Sequence, residues 1–254
     1  MLTDRRQKVL NALVDEYVAS AAPVASRRLA QTYLTDISSA TIRSELMGLE
    51  ADGFARSPHT SAGRMPTNLG FRMFVNGLLL TRLARGHAAS STVSATNRQV
   101  AVHPVGSREV AAPDLEERSG IALDALSEAT GLLAVLWLTS PERTVQQRGL
   151  SRLLAQPEFH DAQALVPLME LLERSQALGF LLENALYQTR FRVLVGIGEA
   201  DGPLSPFSLI AERLATYHHT GVIAVFGPTR MDYRTVIQAV SLAVRSIGTM
   251  SAGS

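Results

Sequence analysis

The chain has 254 residues, a hydrophobic content of 46% and no cysteine. This length suits one large domain or two small ones, and the lack of cysteine excludes disulfides, thiolate metal sites and cysteine nucleophiles. The formal net charge is only +1, which excludes a uniformly basic or acidic chain, so the distribution of charge is more informative than its sum.

Neither a signal peptide nor a membrane span is predicted. The chain begins Met1-Leu2-Thr3-Asp4 and leads straight into an amphipathic pattern. Its apolar runs, such as Leu132 to Leu138, are far shorter than the roughly 20 residues that a bilayer requires. Together with the lack of cysteine, this predicts a soluble cytoplasmic protein without a membrane partner.

The first predicted elements are three helices. Residues 3–20 carry apolar residues at helical spacing, and a second helix starts near Ser26. A third spans roughly Ser39 to Glu50, with Ile42, Leu46 and Leu49 forming one buried stripe. A break at 52–53, a strand-like stretch at 54–56 and a basic loop at 57–66 then predict a hairpin. Over residues 1–80 this order predicts a winged helix-turn-helix, whose third helix enters the DNA major groove.

The flank of this region is basic. No acidic residue lies between Asp52 and Glu109, whereas seven arginines do: Arg56, Arg64, Arg72, Arg82, Arg85, Arg98 and Arg108. A basic third on a near-neutral chain is typical of a nucleic-acid-binding module attached to another domain. A solvated basic surface is the alternative that charge alone leaves open.

A fourth helix is predicted to open after Thr67, its expected N-cap. Its apolar stripe, which includes Phe71, Phe74 and Leu78, is larger than one small domain needs. The stripe can pack on the next domain or on a neighbouring copy, and we expect these three residues to form a dimer interface.

The rest of the chain predicts a linker and a second domain. Residues 81–113 are rich in small residues without a clear period and predict a partly flexible linker. From 114 to 250 we expect an α/β domain with helices at 114–130, 161–187 and 229–247 and strands at 132–138, 191–198, 208–217 and 221–226. The fold class is therefore α+β, and the order of the strands is left open.

Several stretches of this sequence form recognisable motifs. They are SSATIRSEL at 38–46, LEADG at 49–53, PHTSAGRMPT at 58–67, GLS at 149–151, QPEF at 156–159 and GPTRMDYR at 227–234. In these motifs the chain resembles the HrcA family of bacterial heat-inducible transcription repressors. Because the matching blocks lie far apart and in the same order, a chance match is unexpected.

The resemblance implies a winged helix followed by a GAF-like domain into which a dimerisation domain is inserted. It also implies a homodimer that represses chaperone operons of the groE and dnaK type by binding an inverted-repeat operator in double-stranded DNA, called CIRCE. The GroE chaperonin is an implied partner, and no cofactor or metal is implied. This chain has only residues 139–148 between the strand at 132–138 and the GLS motif, so we expect the inserted domain to be missing or nearly so.

The candidate DNA-binding residues lie in the second helix, the third helix and the loop of the hairpin. They are Arg27, Arg28, Ser38, Ser39, Thr41, Arg43, Ser44, His59, Thr60, Ser61, Gly63 and Arg64. Arginine makes bidentate contacts to guanine, serine and threonine reach base edges or phosphates, and a helix N-terminus binds phosphate. We expect Arg43 to read bases, and Arg64 to project from a tight tip at Gly63 and grip the backbone or the minor groove.

Each assignment has a structural alternative. Arg43 can form a salt bridge with Asp36 or Glu50, and one of Ser38 and Ser39 is expected to be the helix N-cap. Arg64 can belong to a solvated hairpin, and His59 can pack against the hairpin.

Enzyme motifs are absent from the sequence. No HExxH, Walker A or GxSxG pattern occurs, and Gly196-Ile197-Gly198 lacks the third glycine of a dinucleotide loop. The pair His218-His219 would point to opposite faces of a strand. We therefore expect no catalytic or metal-binding residues. The alternative function is a ligand-sensing or protein-interaction GAF-like regulator without operator repression.

Overall fold

A computed structural model describes residues 2–59, 63–90, 115–140, 143–199, 201–216 and 219–249. These residues form α1 (Asp4–Ser20), α2 (Ser26–Thr32), α3 (Ser39–Ala51), β1 (Ala55–Arg56), β2 (Met65–Pro66), α4 (Asn68–Ser90), α5 (Leu115–Thr130), β3 (Leu133–Ser140), β4 (Thr144–Arg148), α6 (Leu150–Leu154), α7 (Val166–Glu173), α8 (Ser175–Ala185), β5 (Phe191–Val195), β6 (Phe207–Ala215), β7 (Thr220–Pro228) and α9 (Tyr233–Thr249). Single 3-10 turns lie at Pro157–Phe159 and Ala162–Leu165.

The N-terminal part is a three-helix unit followed by a short hairpin. Helices α1, α2 and α3 pack around side chains that are fully buried, including Leu13, Leu29, Ile42 and Leu49. Strands β1 and β2 pair antiparallel, with Arg56 opposite Met65. The predicted helices and their buried stripe are confirmed, because apolar residues at helical spacing give each helix one face that it can bury only against the other two.

The C-terminal part is built on one five-stranded sheet. All neighbouring strands are antiparallel, in the order β4-β3-β7-β6-β5. Helices α5 and α9 lie side by side on one face, and α8 covers the other, where Gly179 packs against the ring of Trp137. Strand β3 is buried on both faces, which explains why it reads as a continuous apolar run rather than an alternating one.

Strand β4 was not predicted from the sequence. Its residues, Thr144 to Arg148, are polar except for Val145 and are exposed or half-buried. In the described part of the chain β4 is an edge strand, which pairs with β3 alone. The two strands are joined by residues 141–143, so the expected absence of a large insertion at this point agrees with a direct hairpin connection.

Helix α4 connects the two parts and packs against both. Phe71 lies between the rings of Tyr17 and Tyr233, with centroid distances of 6.3 and 6.0 Å. Phe74 lies beneath the guanidinium of Arg234, 4.8 Å from its ring centre.

The prediction that Phe71, Phe74 and Leu78 form a dimer interface is therefore wrong for the two phenylalanines. Phe71 and Phe74 are 2% and 4% exposed within a single chain, and Leu78 is half-buried against the same core. The apolar stripe is covered by α1 and by the C-terminal part of the same chain. Packing on the next domain was the other possibility that the sequence left open.

Helix α4 also continues to Ser90, ten residues into the range 81–113 expected as a linker, and the segment 91–113 lies outside the described residues. In the described part of the chain, no helix has both the length and the hydropathy of a membrane span.

Candidate nucleic-acid interface

The N-terminus of α3 is fixed by its own cap and by α2. The hydroxyl of Ser38 accepts a hydrogen bond from the Thr41 amide at 3.1 Å and lies 2.9 Å from the Thr41 hydroxyl. The hydroxyls of Ser26 and Ser39 are 3.2 Å apart, which brings the starts of α2 and α3 together. Of the two serines proposed as caps, Ser38 is the one that caps the helix.

The outward face of α3 carries Arg43, Ser44 and Met47. All three are exposed, and Met47 is 58% exposed. Within the described ranges, Arg43 forms no ion pair with Asp36 or Glu50, so the structural alternative for this arginine is not realised. The side chain remains available at the first turns of the helix, where a groove-binding helix presents its base-reading residues.

Arg6 of α1 holds α3 in place. Its guanidinium contacts Glu45 at 3.1 Å and Asp52 at 2.9 Å, and it lies so close to Gly48 that a Cβ there would be 2.6 Å from an Arg6 nitrogen. The hydrogen bond to Glu45 raises the pKa of Arg6 above its ordinary value. This positioning role was not predicted from the sequence, because the partners are 39 and 46 residues away from Arg6 in the chain.

The two arginines of α2 differ in their surroundings. Arg28 forms an ion pair with the buried Glu16 at 2.9 Å, whereas Arg27 is exposed and has no ion pair within the described residues. Arg27 is therefore open to solvent, and its expected phosphate contact stays a prediction, whereas Arg28 primarily links α2 to α1.

Arg64 does not project from the hairpin. Its side chain is 21% exposed and forms an ion pair with Glu50 at 2.8 Å. Its backbone pairs with Val24, whose amide donates to the Arg64 carbonyl at 2.9 Å and whose carbonyl accepts from the Arg64 amide at 2.8 Å. The expected projecting geometry is wrong, because residue 64 lies at the base of the loop and the backbone bridge turns its side chain toward α3.

Gly63 also has a different role from the one expected. A Cβ at this position would lie 2.4 Å from the backbone of Val24, so the glycine allows the loop to approach the start of α2 rather than forming a tight tip. His59 is exposed, and its carbonyl accepts a hydrogen bond from the Ser57 hydroxyl. Thr60 and Ser61 lie outside the described residues.

One further arginine is exposed beside α3 and the hairpin. Arg56 is exposed on β1, whereas its neighbour Ala55 is buried. The alternation of a small apolar residue with a charged one is the sequence signal that would have identified Arg56 as a surface residue of the hairpin. Four acidic side chains of the unit, Glu16, Glu45, Glu50 and Asp52, are ion-paired with arginines. Their charge is locally compensated, which leaves Arg27, Arg43 and Arg56 as exposed cations around α3 and the hairpin.

The described residues offer no alternative centre for metal chemistry. No three histidine, aspartate or glutamate side chains converge closely enough to hold an ion in the described ranges.

Known proteins similar to this chain match nearly all of its length. A family model described as the HrcA protein C-terminal domain matches residues 90–237. The heat-inducible transcription repressor HrcA of a Synechococcus species is 31% identical over 321 aligned residues, which cover 97% of this chain and 98% of the relative. The protein of the same name from Symbiobacterium thermophilum is 50% identical over 82 residues, or 32% of this chain and 24% of that one.

A third relative shows that this chain is shorter than its relatives. The HrcA of Pelotomaculum thermopropionicum is 26% identical over an alignment of 339 residues that covers 97% of this chain and 96% of the relative. That alignment exceeds the 254 residues of the chain, so the relative contains segments that have no counterpart here.

The fold has a counterpart among solved structures. A crystal structure described as that of a hypothetical protein superposes with a TM-score of 0.74 at 18% identity, covering 98% of this chain and 97% of that one. This likeness concerns the fold alone. The extent of the family match and the identity to the Synechococcus relative show that the chain belongs to the HrcA family of heat-inducible transcription repressors.

Proposed function

We propose that this protein is a DNA-binding repressor that controls chaperone operons of the groE and dnaK type by binding the inverted-repeat operator CIRCE as a homodimer. The observation that carries the proposal is the arrangement of α3: Ser38 caps its N-terminus, Arg6 holds its later turns through Glu45 and Asp52, and its outer face presents Arg43 to solvent. Three helices followed by a hairpin are the parts of a winged helix-turn-helix, and the sheet with its flanking helices is taken as the GAF-like domain.

In the proposed complex α3 lies in the major groove. Arg43 makes a bidentate contact to guanine, and Ser44 serves a neighbouring base edge or phosphate. The amides at the start of α3 and the hydroxyl of Ser39 hold a phosphate. Arg27 contacts the backbone from α2, and Arg56 with His59, Thr60 and Ser61 contacts it from the hairpin.

Arg28 and Arg64 act mainly by positioning in this proposal. Each is ion-paired with a glutamate of the same unit, and a phosphate contact would require that pair to open or to be shared. Arg64 orients the hairpin against α3, and Arg28 fixes α2 on α1. The GroE chaperonin is proposed as a partner on the basis of the family resemblance.

The test is a mobility-shift titration with an inverted repeat at several salt concentrations. We expect Arg43→Ala to relax base preference by about 1–3 kcal/mol at one operator position. Arg27→Ala should weaken binding to all sequences alike and lower the salt dependence by about one counterion. Arg152→Ala, an exposed arginine of α6, is the matched control and should bind as the wild type does.

Two outcomes count against the proposal. If the wild-type protein shifts no inverted repeat even at low salt, the alternative of a ligand-sensing or protein-interaction regulator without operator repression is favoured. If Arg43→Ala and Arg27→Ala lose affinity equally across operator variants, the division between base reading and backbone contact is wrong.

A further inference from the structure

The outer side of α3 is a single stripe of exposed residues on the face opposite its buried stripe. The members recur three or four residues apart, so they lie above one another on the helix. They are Ala40, Arg43, Ser44, Met47 and Ala51. None of the five is acidic, and the glutamates of α3 are held in ion pairs with Arg6 and Arg64. The stripe is therefore the side of the helix that approaches a polyanion with the least repulsion.

Arg43 and Met47 are the two long side chains of this stripe. The other three residues are short, so the helix backbone can come close to a surface into which the two long side chains reach. Met47 is 58% exposed. Because a single exposed apolar side chain is common on protein surfaces, the informative feature of Met47 is its place beside Arg43, on the side that faces DNA in the proposed complex.

Met47 is not suited to the groups that its neighbours contact. Its thioether carries no hydrogen-bond donor and is a weak acceptor, so a contact with a phosphate or a polar base edge would remove water from that group without replacing its hydrogen bond. The apolar group in the major groove is the C5-methyl of thymine. Contact with this methyl removes apolar surface of both partners from water, and the unbranched side chain of methionine can adapt to its position.

The spacing along α3 limits which thymine this can be. Met47 follows Arg43 by four residues, which is a rise of about 6 Å along the helix. Successive base pairs are about 3.4 Å apart. A helix that lies along the groove therefore places Met47 one or two base pairs from the guanine that Arg43 contacts.

We propose that Met47 is a specificity-determining residue that selects thymine over cytosine through the C5-methyl, one or two base pairs from the guanine read by Arg43. Cytosine at the same place presents an amino donor and no methyl, and the thioether is a poorer acceptor for that donor than water is. The inference rests on the proposed function, because it requires α3 to lie in the major groove, but it concerns a residue that has no part in the contacts proposed above.

The experiment replaces the thymines of one half-site, one at a time, with deoxyuridine and measures the affinity of the full chain for each repeat. Deoxyuridine pairs with adenine as thymidine does and lacks the C5-methyl. We expect the wild type to lose affinity about fourfold, the value for one methyl group left in water, at a position one or two base pairs from the guanine that Arg43→Ala identifies.

Variants of Met47 link this loss to its side chain. Met47→Ala should bind the thymine operator at least about fourfold more weakly than the wild type does. It should lose nothing further when the sensitive thymine is replaced, because both changes remove the same contact. Met47→Leu keeps an apolar side chain of similar volume and should retain most of the sensitivity.

Leu80→Ala is the matched control, because Leu80 is a 68% exposed leucine of α4 and lies outside the stripe. This variant should be as sensitive to deoxyuridine as the wild type. Since Met47 and Leu80 are both exposed, all three variants should unfold at the urea concentration of the wild type, so a change in affinity reports the contact and not the fold.

Two results overturn the inference and leave the proposed function standing. One is a wild type that binds the repeat but loses no affinity with deoxyuridine at the expected position. The other is a Met47→Ala variant that is as sensitive to deoxyuridine as the wild type, which would assign the methyl contact to another side chain. A wild type that binds no inverted repeat overturns the proposed function and this inference with it.

Discussion

Ser38 caps α3 and lies at the proposed phosphate site, and a pair of substitutions can separate the two roles. Its hydroxyl caps α3 by accepting from the Thr41 amide at 3.1 Å, and the same helix N-terminus is the proposed phosphate site. Ser38→Ala removes the cap and should lower the free energy of unfolding by about 1 kcal/mol. Ser38→Asp retains a capping oxygen but places a negative charge where the phosphate would lie, so it should weaken DNA binding while leaving stability close to that of the wild type.

Chemical denaturation of the two variants measures their free energy of unfolding, and titration with the operator measures their affinity for DNA. Tight operator binding by Ser38→Asp would show that the start of α3 does not face the DNA backbone. A large loss of stability in Ser38→Asp would instead mean that the carboxylate cannot take over the cap.

At the scale of elements, the hairpin is attached to α2 by the close approach of Gly63 to Val24. A Cβ at residue 63 would lie 2.4 Å from the Val24 backbone, and backbone atoms cannot move aside as the end of a side chain can. Gly63→Ala should therefore displace the hairpin and lower the free energy of unfolding by about 1–3 kcal/mol. It should also weaken operator binding, because Arg56 and the hairpin loop would move with it.

Gly77→Ala is the matched control within α4. Nothing lies within 4 Å of a Cβ at residue 77, and alanine is the better helix former, so this variant should gain roughly 0.5–1 kcal/mol. Urea denaturation of Gly63→Ala and Gly77→Ala measures both changes in the free energy of unfolding. If Gly63→Ala were as stable as the wild type, the hairpin would have room that the structure does not show.

The helices and strands were largely predictable from the sequence, whereas the contacts between them were not. Apolar residues at helical spacing predicted α1, α3 and α9, and the continuous run at 132–138 predicted β3, because burial on one face or on two imposes those patterns. The edge strand β4 was missed, since a strand with one neighbour and little burial needs no apolar pattern.

In the candidate site, too, local features were predictable and contacts between distant residues were not. An N-cap at Ser38 or Ser39 and the outward Arg43 follow from local spacing. The ion pair between Arg64 and Glu50, the clamp by Arg6 and the bridge between Val24 and Arg64 join residues far apart in the chain. Such contacts depend on how the helices are arranged, which the local pattern does not specify.

At the scale of the whole molecule, arginines fix the N-terminal unit to the C-terminal part. Arg230 of the C-terminal part donates to the Val18 carbonyl of α1 at 2.7 Å and pairs with Glu158. Arg72 of α4 donates to the Val195 carbonyl of β5 at 2.9 Å. Because these contacts come from both sides of the junction, the orientation of α3 is set by the C-terminal part as well as by its own unit.

The pair Asp15–Arg234 lies at the same junction, with its atoms 3.2 Å apart. Burial raises the pKa of Asp15, and the nearby Arg234 opposes this rise. The loss of hydration on burial outweighs the attraction of the Asp15 carboxylate to Arg234, so keeping this charge at the junction has an electrostatic cost. Arg230 and Arg72, in contrast, donate to backbone carbonyls. The two arginines are therefore the better candidates for the contacts that stabilise the arrangement.

Arg230→Met and Arg72→Met should loosen the junction without unfolding either part. Each removes a charged donor from a backbone carbonyl, a contact typically worth about 1.5–3 kcal/mol, while methionine keeps much of the side-chain volume. We expect calorimetry to resolve two unfolding transitions where the wild type shows one, and amide exchange to increase at the end of α1 and in β5. Arg152→Met, which changes an exposed arginine away from the junction, should leave both measurements unchanged. A single transition that merely shifts in temperature would show that the two parts unfold as one unit even without these contacts, and the arginines would then stabilise the fold without governing the orientation of α3.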